Sequence, residues 1–106
     1  MCRRWGGGPL LAVDCGQAVR IEGEAQVQTW QSSAWAERGF CGRCGTHLCY
    51  RLLASGARIV PAGLLGEAGE LALTKELFID HKPSWYGFAN RTERLTEAEV
   101  LATFGL

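Results

Sequence analysis

At 106 residues, with 47% hydrophobic and 21% charged residues, the chain has the size and composition of one globular domain. Eleven basic residues balance eleven acidic ones, so charge gives no ground for a nucleic-acid or anionic-membrane partner. No run approaches the ~20 apolar residues of a membrane span and no export-type apolar segment follows Arg3-Arg4-Trp5, so a cytoplasmic location with reduced cysteines is expected.

Met1 to Pro9, with Trp5 and the run Gly6-Gly7-Gly8, reads as a loop. Leu10 to Cys15 reads as a strand that turns at Gly16-Gln17 into a second strand, Ala18 to Glu22, where Val19 and Ile21 alternate with Arg20 and Glu22. Gln26 to Ser32 alternates again through Val27 and Trp30. Ser32-Ser33 breaks the pattern, and Trp35 to Phe40 leads into Cys41-Gly42-Arg43-Cys44-Gly45. In the strand that follows, Leu48, Tyr50 and Leu52 share one face, while His47, Cys49 and Arg51 share the other. Ser55-Gly56 turns the chain into Arg58 to Leu64, Gly66 to Gly69 reads as a loop, and Leu77 to Asp80 as a last strand. Thr96 before Glu97-Ala98-Glu99 is an N-cap with acidic residues in the first turn, and Val100, Leu101 and Phe104 give that helix an apolar face. The expectation is a single, mainly β domain over residues 1–106 with a short C-terminal helix.

Most of the chemistry lies in Cys41-x-x-Cys44. A tight turn between the two cysteines can aim both sulfurs at one tetrahedral metal, and glycine after each cysteine frees the backbone to turn N–H groups toward the thiolates. A redox pair at this spacing would open a helix, whereas a strand follows here; incidental core cysteines are the third reading. Cys2 alone reads as a thiol in a terminal tail, Cys15 and Cys49 as small core residues, and His47 and His81 as structural histidines. No phosphate loop, Ser/His/Asp arrangement or carboxylate pair is visible.

The segment Arg38-Gly-Phe-Cys-Gly-Arg-Cys-Gly-Thr-His-Leu48 resembles the second cysteine motif of the glutathione-dependent formaldehyde-activating enzyme family, which includes centromere protein V. Cys2 to Pro9, Ala62 to Leu65, and Leu77 to Trp85 agree in the same order, so the resemblance spans nearly the whole chain. It implies a β-tent of antiparallel strands with a zinc knuckle, and two zinc sites. In the structural site an N-terminal Cys-x-Cys joins a Cys-x-x-Cys, matched here by Cys41 and Cys44. In the other, a Cys-x-Cys-x-x-Cys run leaves a position open to an incoming thiol, and its last cysteine matches Cys2, which becomes both metal ligand and catalytic residue. The remaining cysteines of both motifs have no counterpart here, which implies an N-terminally shortened member with weakened zinc binding and impaired activity. Cys15, Cys49, His47 and His81 are not expected to rebuild a four-ligand site. The implied function is carbon–sulfur lyase chemistry joining glutathione to formaldehyde, and the alternative is a zinc-stabilised binding or structural module. Two partners are expected: a small thiol such as glutathione, and a second copy added at the exposed edge of the Leu10 to Glu22 hairpin.

Overall fold

The computed structural model describes residues 1–66 and 70–106, so most of the loop expected at Gly66 to Gly69 lies outside the described residues. The chain divides into two compact units, Met1–Ala68 and Gly69–Leu106.

The first unit is a five-stranded antiparallel sheet. Its strands are β1 (Ala12–Asp14), β2 (Val27–Gln31), β3 (Ala36–Cys41), β4 (His47–Leu52) and β5 (Arg58–Pro61), in the order β1-β5-β4-β3-β2. The mainly β fold expected from the alternation is what forms. Local turn chemistry builds its centre: Gly56 takes a left-handed φ of 75°, and its N–H bonds the Leu52 carbonyl at 2.9 Å to close the β4–β5 hairpin.

Two N-terminal expectations are corrected. The expected loop holds a five-residue helix, α1 (Cys2–Gly6). Two N–H groups, of Arg4 and Trp5, bond the Met1 carbonyl, and Gly7 ends the helix in the left-handed region at φ 81°. Ala18 to Glu22 is not a strand, so the Leu10 to Glu22 hairpin does not form. β1 pairs instead with β5, with Val13 opposite Val60. The main chain at Gly16 closes that ladder, since the Arg58 N–H bonds the Gly16 carbonyl and the Cys15 N–H bonds the Arg58 carbonyl, both at 2.9 Å. β5 thus occupies the hydrogen-bonding edge that Ala18 to Glu22 would have needed.

Full burial in this unit is confined to the sheet centre. Ala36 is completely buried and Cys49 nearly so, and between them lies a charged residue, Arg38, at 5% exposure. Cys49 is the core residue its strand position suggested.

The second unit pairs β6 (Lys75–Leu77) with β7 (Glu93–Leu95) in parallel, a strand and a direction that the sequence did not reveal. The strand expected over Leu77 to Asp80 stops at Leu77, because Phe78 turns into the left-handed region (φ 57°) and a single 3₁₀ turn, Ile79–His81, follows. The C-terminal helix α2 (Glu97–Phe104) begins where expected. Thr96 Oγ1 accepts the Glu99 N–H at 3.3 Å while Glu99 Oε2 accepts the Thr96 N–H at 3.2 Å, a reciprocal cap. Of its apolar face, Val100 is buried and Phe104 stays exposed. Among the described residues no helix is long and apolar enough to cross a membrane.

Candidate functional site

The knuckle forms as the spacing implies. β3 ends at Cys41, the chain turns through Gly42 to Gly45, and β4 starts at His47. The Gly45 N–H bonds the Cys41 carbonyl and the Cys41 N–H bonds the Thr46 carbonyl, both at 2.8 Å, so the turn is pinned from both ends. The two glycines act differently. Gly45 takes φ 78°, whereas Gly42 is needed for close approach: a Cβ there would stand 3.0 Å from the Gln26 carbonyl oxygen, which accepts the Gly42 N–H.

The knuckle thiols face each other. The Cys44 thiol is pulled below its ordinary value by the Thr46 hydroxyl at 3.1 Å, then by the Thr46 main chain, then by the Cys41 side chain. All three stabilise the thiolate, the form that ligates metal. Two thiols on one turn fit two positions of a tetrahedral zinc ion. Among the described residues, the one group of three or more donors with ligand atoms all within 4.8 Å of one another is Asp80, His81 and Glu97, which contains no cysteine. Cys2, Cys41 and Cys44 therefore do not converge on one point here. In the acidic group, His81 Nε2 lies 2.6 Å from Glu97 Oε2, and Asp80 Oδ1 accepts the Glu97 N–H at 2.9 Å, so these side chains tie the 3₁₀ turn to the start of α2.

The second feature depends on an irregularity in the β3–β4 ladder. Residues pair regularly from Ala36–Leu52 to Gly39–Cys49, but Phe40 then faces His47, leaving Leu48 as an extra residue. Strict alternation put His47 on the face of Cys49. The bulge moves it to the face of Phe40, Arg38 and Tyr50, and this is a correction to the sequence reading. There Trp5 of α1 covers it, with ring centroids 5.0 Å from His47 and 5.5 Å from Phe40.

Between α1, β3, β4 and the Ala62–Leu65 turn lies a cleft of about 250 Å³. Its polar groups are Cys2, Arg38, Thr46 and His47, set in a wall of Trp5, Pro9, Leu10, Pro61 and Leu64. Arg38 Nη2 donates to Cys2 Sγ at 3.4 Å, and the guanidinium carbon sits 5.2 Å from the centroid of the Tyr50 ring. Arg38 Nε is buried without a hydrogen-bond partner. His47 is held below its usual value, chiefly by burial and further by the Arg38 charge, against the opposing effect of its bond to the Cys49 carbonyl. A carbonyl oxygen only accepts, so at 3.1 Å from it His47 Nε2 must carry the proton, and the neutral ring keeps the Nδ1 lone pair.

Cys2, which by itself suggested a tail thiol, thus stands in a cleft beside a buried cation. Cys15 is half-buried, and its thiol bonds the Val13 carbonyl at 3.6 Å; it takes no part in the cleft. Arg38 and Tyr50 are the residues the sequence reading missed. Their signal was positional: both belong to regular strand patterns flanking the knuckle, and they face each other across the ladder.

No family model matches the chain, and no solved structure gave a significant match. A Schizosaccharomyces pombe protein described as an uncharacterized lyase is 34% identical over 102 residues, spanning 94% of this chain and 74% of the yeast protein.

Proposed function

The chain belongs to the family of that fission-yeast lyase, and on this premise we propose that it is a carbon–sulfur lyase of the glutathione-dependent formaldehyde-activating type. The reaction adds a thiol to formaldehyde: the sulfur–carbon bond forms, the carbonyl π bond becomes an O–H bond, and the thiol proton ends on that oxygen. Cleavage of S-hydroxymethylglutathione is the reverse. The observation that carries the reading is the cleft, which gathers Cys2, the Arg38 guanidinium and a neutral His47 in an otherwise apolar wall. His47 in this form has a free lone pair at Nδ1 to take up a thiol proton. The apolar wall lowers the polarity around the site, which strengthens the pull of Arg38 on any sulfur carrying negative charge.

Zinc is part of the proposal. Cys41 and Cys44 would supply two of its thiolate ligands, and when bound at an open thiolate site the metal holds an incoming thiol as the thiolate. Cys2 would belong to that second, catalytic site.

The test is the rate of glutathione–formaldehyde condensation above the uncatalysed background, measured on the zinc-supplied protein. Acceleration that falls at least tenfold in Cys2→Ser and in His47→Gln is the expected result. No acceleration, with zinc still bound by the knuckle, would replace the lyase with the zinc-stabilised binding module.

A further inference from the structure

Arg38 is a cation in a place where cations are costly. Only 5% of its surface is exposed, its Nε has no partner, and among the described residues no carboxylate forms an ion pair with it. Another arginine of the sheet, the partly buried Arg51, is served differently: Glu37 faces it across the ladder and closes an ion pair at 2.9 Å. Arg38 has a thiol and the face of a tyrosine instead, both weaker partners for a guanidinium than a carboxylate. A buried charge left without a counter-ion destabilises the fold, so an arginine at this position is better explained by a ligand than by stability. The surrounding wall is apolar, which leaves Arg38 as the one full charge among the described residues that line the cleft.

We infer that the cleft is built for a thiol bearing a carboxylate, and that Arg38 recognises the carboxylate and so selects anionic thiols over neutral ones. The inference rests on the lyase reading for the thiol but not for the anion. A guanidinium fork matches a carboxylate in shape, and binding in a cleft of low polarity strengthens the pairing. The free volume suits a short carboxylate-bearing thiol, or the thiol-bearing end of a larger one.

The probes are mercaptoacetate and 2-mercaptoethanol, which differ in the carboxylate, and methylthioacetate, which keeps the carboxylate but cannot react at sulfur. Titration of the full chain with methylthioacetate should shift the Trp5 indole N–H and Arg38 Nε–H resonances, and Arg38→Met should abolish both the binding and the Trp5 shift. In the condensation with formaldehyde, mercaptoacetate should exceed 2-mercaptoethanol at least tenfold in kcat/KM. Arg38→Met should bring that ratio close to one through KM, with Arg38→Lys in between. Arg38→Met should melt at or above the parent temperature, since it removes an uncompensated buried charge; if it does not fold, Arg38→Lys carries the comparison. Binding of methylthioacetate without any condensation activity would keep the anion site and discard the lyase. Condensation with no preference for mercaptoacetate and no resonance shift would keep the lyase and overturn the anion site.

Discussion

At the scale of single residues, Cys44 and His47 are both shifted downward, for opposite reasons. Cys44 is exposed, and donors on Thr46 and Cys41 stabilise its charged form. In metal-free protein its alkylation should therefore reach half-maximal rate at a lower pH than that of an ordinary cysteine thiol, and Thr46→Val should move that midpoint upward; a midpoint unmoved by the substitution would remove Thr46 as the cause. His47 is shifted because burial disfavours its charged form. The unfolded chain, titrating at about 6.5, takes up this proton before the folded one does. The stability tied to His47 is thus present above about 6.5 and lost as pH falls from there through the folded value. Urea midpoints measured between pH 7 and pH 5 should fall less steeply in His47→Gln than in the parent.

At the scale of elements, the face of the sheet opposite the cleft is fitted closely at Gly39. A Cβ there would lie 3.0 Å from Cys49 Sγ and 3.5 Å from Val27 Cγ1. Gly39→Ala should cost about 1–3 kcal/mol in denaturant unfolding. Cys49→Ala opens that space, so the double variant should be more stable than the sum of the two single effects predicts. Strict additivity would mean that the pair does not couple. In the second unit, Thr96→Ala should cost about 1 kcal/mol, since it removes one half of the reciprocal cap on α2. The knuckle and this helix were legible because short sequence signals specify them: two cysteines with glycines, and Thr-x-x-Glu. The β1–β5 pairing and the parallel β6–β7 pair were not, because they join segments far apart in sequence, and Glu93 to Leu95 is too short to show a period. Nothing in the strand pattern around Arg38 marked it as buried. Its burial depends on α1 and on Tyr50, and neither contact is encoded near it in the chain.

For the whole molecule, any metal held by the knuckle would be linked to the stability of the fold. Zinc that binds the folded chain through Cys41 and Cys44 must raise the melting temperature, by the equivalent of about 2.7 kcal/mol at a hundredfold excess over Kd. The double variant Cys41→Ser, Cys44→Ser should lose that increase, and an increase that persists would place the metal elsewhere. The extra residue in β4 has a consequence of its own for comparing this chain with others. With the same number of residues and an unbroken ladder, Leu48 would stand opposite Phe40, and His47 would pass to the far side of the sheet. Deleting Leu48 would instead leave Phe40 facing His47 and Gly39 facing Cys49, in a ladder with no irregularity. The histidine in the cleft is therefore fixed by a count of residues as much as by their identity. A relative one residue shorter between Thr46 and Tyr50 would present the same ring to the cleft, while a full-length alignment column would hide the equivalence.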